Sequence, residues 1–441
     1  MTPKATSSLA FLTLALGLVA SAVAGDIYVL PCVDEPLPAW REGELDIHFI
    51  NSGRGECAFL ILPDGTTLVV DCGEIPDNPK SRWPQVERKP LSGESAHEVD
   101  ARYIRHFHPG GPKARLDYML ITHFHIDHTG ETASSGVVAF YNLLPFDRLI
   151  DRGYPDYDAA LAIASRTGKI GTYVDFVRDK VANSGLKAER FELGRTDQIA
   201  LLHAPEKYPG FQIFNYARDG KIWQGGKEVD LYDGNKVAEN GASCCFLLRY
   251  GDFSFLSCGD AGANSKVEIP LAREIGHEIV AMKANHHFSW NTHAPESMEI
   301  LRPQVIVGQN FMAHQPWIPV LEGIWKASPR TRIYSTNMCP ANFQKEDVVR
   351  AKEDHGGAGI TDERYAAARG KMASCNGHVV IRVAPGGKSF SVFVLNDEDF
   401  SYRIRQIDGP FVCCHNLRQC GNHPHFCLSI VQESDKLLLK P

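Results

Sequence analysis

Leu116-Asp117-Tyr118-Met119-Leu120-Ile121-Thr122-His123-Phe124-His125-Ile126-Asp127-His128-Thr129-Gly130 runs from a short apolar segment straight into four metal-ligating side chains. The apolar residues up to Ile121 predict a buried strand. Where a chain leaves a strand, residues at i and i+2 point to the same side, so His123 and His125 can share one cation. The tightening turn then lets Asp127 and His128 address a second. Imidazole and carboxylate ligands suit zinc, and equally iron or manganese, so the donor set alone does not select the metal. The rival explanation, surface histidines gathered by chance, seldom yields a pattern this dense.

Working outward, apolar or alternating runs predict strands at 45–50, 58–62 and 67–70, the last after the turn Pro63-Asp64-Gly65. Similar short runs lie at 116–121, 200–202, 245–248, 253–256, 279–282 and 305–307, with helical patterns at 157–164, 173–182 and 319–325. Strands with interspersed helices predict a layered α/β architecture. Ala384-Pro385-Gly386-Gly387 separates apolar runs at 379–383 and 390–395, a late hairpin.

The His-x-His-x-Asp-His run after an apolar strand resembles the signature of the metallo-β-lactamase superfamily. Phe49-Ile50-Asn51-Ser52-Gly53-Arg54-Gly55-Glu56-Cys57 and Leu68-Val69-Val70-Asp71-Cys72-Gly73 resemble its opening hairpin with an aspartate-glycine end. Phe253-Ser254-Phe255-Leu256-Ser257-Cys258-Gly259-Asp260-Ala261 resembles the later strand whose aspartate bridges two metals. Met282-Lys283-Ala284-Asn285-His286-His287-Phe288-Ser289 is similar to the Lys-x-x-His-His-Gly-Ser element of the branch related to the metallo-hydrolase domain of competence proteins, which handle DNA uptake.

The resemblance spans roughly residues 45–320 and implies an αββα four-layer sandwich. It implies two zinc ions as cofactor. His123 and His125 would bind the first, Asp127 and His128 the second, with Asp260 bridging and His286, in preference to His287, completing the second site. Asp127 would also orient the attacking hydroxide. His314 lies where related proteins carry a histidine-containing loop near the cleft, as a group to protonate a leaving group or hold substrate. Two departures stand out. The slot where many members place another histidine falls at Asn240-Gly241-Ala242-Ser243, which weakens the first metal site; His203 is a rival for that ligand. Phe288 replaces the branch's glycine and is expected to narrow the pocket beside the metal.

The chain has 441 residues, 44% of them hydrophobic, enough for a full core. Lys4, an apolar run from Leu9 to Val19 and Ala22-Val23-Ala24 form a basic start, a hydrophobic region and a small-residue cleavage site, so residues 1–24 read as a signal peptide. The run is too short to span a membrane, and no later stretch reaches that length. Residues 25–341 are assigned to the metallo-β-lactamase-like domain and 342–441 to a C-terminal hairpin and cysteine-rich extension. A secreted or periplasmic location follows. The even count of 12 cysteines then favours disulfides, above all among Cys413, Cys414, Cys420 and Cys427, whose spacing does not match a C-x-x-C zinc pattern.

A net charge of -7 lends no support to non-specific nucleic-acid binding. Locally, Arg82, Arg88, Lys89, Arg102, Arg105 and Lys113 precede the histidine cluster, either as a solvated face or as a basic rim for an anionic substrate. The expected function is a secreted hydrolase using a metal-bound hydroxide, with phosphoesters as the leading substrate class because the branch it resembles includes phosphodiester-cleaving relatives. Lactam, lactone or thioester hydrolysis on the same metals, or a non-catalytic secreted binding protein retaining the fold, are the alternatives. No Gly-x-Ser-x-Gly context supports covalent catalysis.

Overall fold

A computed structural model of the chain describes residues 31–78, 85–113, 115–158, 160, 170–312, 315–338 and 361–413. Strand alternation decides which face each residue buries. In β1 (Leu45–Phe49), Leu45, Ile47 and Phe49 enter one apolar cluster. In β2 (Ala58–Ile61), Ala58 and Leu60 join them while Phe59 and Ile61 enter another. β3 (Thr67–Val70) and β4 (Leu116–Leu120) repeat the split, with Val69 and Met119 on the second side. Together with β5 (Phe146–Asp151), β6 (Lys187–Arg190), β15 (His378–Val383), β16 (Ser389–Leu395) and β17 (Ile404–Val412), they form a nine-stranded sheet ordered β17-β16-β15-β1-β2-β3-β4-β5-β6.

The second sheet comprises β7 (Gln212–Arg218), β8 (Lys221–Gln224), β9 (Lys227–Asp230), β10 (Cys245–Tyr250), β11 (Phe253–Ser257), β12 (Ala281–Lys283), β13 (Val305–Gly308) and β14 (Arg332–Ser335). Its order is β14-β13-β12-β11-β10-β7-β8-β9. Each sheet has a parallel part, β3 to β6 in the first and β11 to β14 in the second; the remaining pairings are antiparallel.

The two sheets pack face to face. Their shared core joins Ile47, Leu60 and Ile381 of the first to Phe246, Phe255 and Val307 of the second. Each fully buried Leu, Ile or Phe there contributes roughly 1.5–3 kcal/mol. The outer face of the first sheet is covered by helices Ala96–Phe107, Gly136–Leu143 and Gly171–Asn183. Helices Glu268–Ile275, Pro295–Leu301, Ile318–Ala327 and Asp362–Lys371 cover the second. The αββα sandwich expected from the resemblance is therefore present.

The late hairpin forms as β15 and β16 and pairs with β1. The predicted strand at 200–202 is instead a loop: Ile199 and Leu201 plug the core between the sheets, while Leu202 N–H donates to Thr66 Oγ1 at 2.8 Å. Its hydrophobicity reflects burial, not strand pairing. Most of the helix expected at 157–164, the signal segment, and Cys414, Cys420 and Cys427 lie outside the described residues. Among the described cysteines no disulfide forms, and among the described residues no helix is long and apolar enough to cross a membrane.

Candidate metal centre

The candidate site sits at the C-terminal ends of β3, β4, β11 and β12, the edge at which open α/β sheets bind ligands. Asp71, just after β3, takes a left-handed φ of 60°. That places Oδ1 to accept from Thr122 N–H at 2.7 Å, and Oδ2 2.7 Å from both Thr122 Oγ1 and His128 Nδ1. The turn Ile126–Thr129, which carries Asp127 and His128, is clamped by main-chain bonds from Glu56 N–H to Asp127 O at 2.9 Å and from Cys72 N–H to His128 O at 3.0 Å. Position 73 must be glycine, because a Cβ there would lie 1.7 Å from Asp127 O.

Glu56, His128, Asp260 and His287 form a fully buried set whose ligand atoms lie within 4.8 Å of one another. His128 Nε2 and His287 Nε2 stand 3.3 and 3.4 Å from Asp260 Oδ2, and His287 Nε2 is 3.2 Å from Asp127 Oδ2. His128 Nε2, His287 Nε2 and both oxygens of Asp260 are buried without hydrogen-bond partners. Each such orphan costs about 1–3 kcal/mol. With Asp71 behind Nδ1 of His128, the Nε2 lone pair is turned toward the cluster, the arrangement of a metal ligand with an outer carboxylate. The residues fit a divalent cation.

A second set, His123, His125 and Asp260, shares the aspartate. His123 Nε2 lies 3.7 Å from Asp260 Oδ2 and 3.1 Å from His125 Nδ1. His286, chosen from the sequence for the other set, stands on this side instead. Its Nε2 is 3.8 Å from Asp260 Oδ2 and 3.3 Å from Asn240 Nδ2, and its side chain is 28% exposed. His287 occupies the place expected of it.

Burial disfavours the imidazolium of His128, but Asp260, Asp71, Asp127 and Glu56 outweigh it and hold its pKa well above the usual histidine range. Burial likewise opposes the charge on His287, and Asp260 and Glu56 again prevail. Burial alone would raise Asp260; His287, His128 and His286 hold it well below the ordinary carboxylate range. Burial, and after it the charge of His128, keep His123 well below normal. Burial pushes His286 down to about 4.

Sequence reasoning missed Glu56 and Lys283 as parts of the site, though both lie in quoted segments. Lys283 is buried, with Nζ 2.8 Å from Glu56 Oε1 and donating to Gly259 O at 2.8 Å. A charged residue ending an apolar strand was the available signal. Also missed was the buried pair Arg152–Glu239: Glu239 Oε1 accepts Phe124 N–H at 2.7 Å, and Arg152 Nη2 bonds Glu239 Oε2 at 2.6 Å. The pair fixes the backbone between His123 and His125.

His203 is remote from the cluster, exposed and 3.5 Å from Asp117. His314 lies outside the described residues. Phe288 does not narrow the pocket as expected: its ring is fully buried among apolar residues on the helix side of the second sheet, stacked on His293 and against Gly308. His286, His287 and Phe288 take consecutive left-handed φ values of 45°, 55° and 56°, which turns that ring inward. Strain of this kind collects at functional sites. In the basic stretch, Arg88 pairs with Asp77, Lys89 with Glu398 and Arg102 with Glu94, so these cations are already neutralised.

No known protein family matches the sequence, and no curated protein matches it. Solved structures do. A diiron β-hydroxylase, CmlA, from Streptomyces venezuelae is 13% identical, with 79% of this chain and 55% of that chain covered at a TM-score of 0.38. This chain thus spans about half of that protein. A metallo hydrolase, Igni18, from the archaeon Ignicoccus hospitalis is 14% identical, covering 66% and 95% at 0.35. An isothiocyanate hydrolase from Delia radicum gut bacteria is 13% identical, covering 71% and 92% at 0.31. At these scores and identities nothing about the chemistry of this chain follows from them.

Proposed function

We propose that this chain is an exported metal-dependent hydrolase of the metallo-β-lactamase type, with two zinc ions as cofactor and phosphoesters as substrates. One observation carries the reading: the orphaned Nε2 atoms of His128 and His287 and both oxygens of Asp260 converge in a buried cluster beside Asp127 and His125, which reach solvent. Asp127, His128, His287 and Asp260 would hold one ion. His123, His125 and Asp260 would hold the other, with Asn240 and His286 at its rim. Bound there, zinc, or iron or manganese in its place, supplies Lewis acidity, lowering the pKa of a coordinated water toward about 7 and stabilising negative charge on an attacked oxygen.

The chain's own residues position the reaction. Asp127 Oδ2, 3.2 Å from His287 Nε2 and on a side chain 19% exposed, would accept a hydrogen bond from the attacking water and orient it. Asn240 Nδ2 offers a donor at the rim for a substrate oxygen. Lys283 offsets the charge of Glu56 beneath the cluster. His314 keeps the role of proton donor to the leaving group on the resemblance alone.

The experiment is elemental mass spectrometry on the purified chain together with turnover of bis-nitrophenyl phosphate and a chromogenic β-lactam. Two equivalents of zinc that depend on Asp260, with phosphodiester turnover, are expected. Turnover of the β-lactam alone would move the substrate to lactams. Tight metal without turnover of either would leave a binding protein, and no metal would end the proposal.

A further inference from the structure

On the opposite face of the same strand ends lies a second group of metal-ligating side chains. Glu56 and Asp71 point into the metal centre; their neighbours Cys57 and Cys72 point the other way, under helix Ala96–Phe107, where Asp100 meets them. All three are buried, at 1%, 0% and 0% exposure. Their ligand atoms lie within 4.8 Å of one another, with Cys72 Sγ 3.9 Å from Asp100 Oδ2. Donors bound to zinc at about 2.0–2.3 Å stand roughly 3.5–3.8 Å apart in a tetrahedron, so a small contraction closes the group on an ion.

A second observation is independent of that spacing. Asp100 Oδ1 is buried with no hydrogen-bond partner. Buried carboxylates are ordinarily paired or bound to metal. Two thiols and the Asp100 carboxyl, which meets Cys72 through Oδ2 and leaves Oδ1 unpartnered, supply sulfur and oxygen donors for a thiophilic cation in a predominantly apolar core.

We infer that Cys57, Cys72 and Asp100 form a separate structural site for a thiophilic divalent cation of the zinc class, pinning helix Ala96–Phe107 to the ends of β2 and β3 beneath the metal centre. The site does not depend on the hydrolase reading. Its donors include two thiolates, whereas the described donors of the other centre are imidazoles and carboxylates.

The test uses the full chain, loaded with zinc and, after stripping, with cobalt(II). Wild type is expected to hold one zinc more than Cys57→Ser or Cys72→Ser, and Asp260→Asn is expected to keep that one equivalent after losing the others. Cobalt-loaded wild type is expected to show a near-ultraviolet thiolate-to-cobalt charge-transfer band that survives Cys245→Ser, weakens in Asp100→Asn and disappears in Cys57→Ser. A band that survives loss of Cys57, or no band at all, overturns the inference. So does peptide mapping of unreduced wild type that finds Cys57 and Cys72 joined in a disulfide, or both free in a chain with no zinc beyond the equivalents that depend on Asp260. That mapping needs no variant, so it decides the matter even where a cysteine substitution fails to fold.

Discussion

On one side of Asp260, His128 and His287 each have a carboxylate 2.7 Å behind the ring, Asp71 and Glu56 respectively; on the other, His123 has the Thr122 hydroxyl at 3.2 Å and His125 leans on His123. The first side is buried apart from Asp127, while His125 and His286 on the second reach solvent. Carboxylates behind ligating histidines fix the ring and strengthen the donor. On the proposed function, the buried side would hold the tighter ion and the open side, with Asn240 at its rim, a weaker, exchangeable one.

The largest expected effect comes from Asp260→Asn, which replaces the carboxylate both sides share with a neutral amide. Both ions should be lost from elemental analysis and turnover abolished; retention of either ion would mean the two sets do not share the residue. Next, His287→Ala should remove the buried ion and leave the open one, whereas His286→Ala should spare the buried ion. Chelator titration of the two variants separates them, and the reverse pattern would restore His286 to the buried set. Asp71→Asn keeps the shape but weakens the support of His128, so affinity for the buried ion should fall about 10- to 100-fold in the same titration, with the open ion unchanged. The smallest effect is a gain: Asn240→His should tighten the open ion by roughly tenfold by adding an imidazole of the kind these metals favour. No change would show that position 240 does not face the ion.

Much of this was legible in the sequence because it is local. Alternation in 45–50 and the compact apolar run at 58–62 marked strands that form and pair, and the hairpin at 379–395 was marked by its Pro-Gly-Gly turn. The antiparallel strands β7 to β9 were missed because β8 and β9 have only four residues each, β9 mostly charged, while β7 interleaves Gln212, Asn215 and Arg218 with its apolar residues. The run at 200–202 misled because burial by a loop and burial by a strand leave the same apolar signature.

By itself the sequence determined the ligand-bearing turn: after a buried strand, the i and i+2 geometry of His123 and His125 follows from covalent structure. On the resemblance it favoured His286 for the buried set, although nothing local separates that residue from His287, since the two are adjacent and both left-handed. That choice is made by groups distant in the chain, Glu56 Oε1 at 2.7 Å and Gln309 O at 3.0 Å from His287 Nδ1, which draw one ring into the core and leave the other at the rim. The same holds for Asp71 behind His128 and for Asp100 over Cys57 and Cys72. Side-chain direction within one strand is set by bonds along the chain, but which buried polar atoms meet across layers is set by how two sheets and their helices pack.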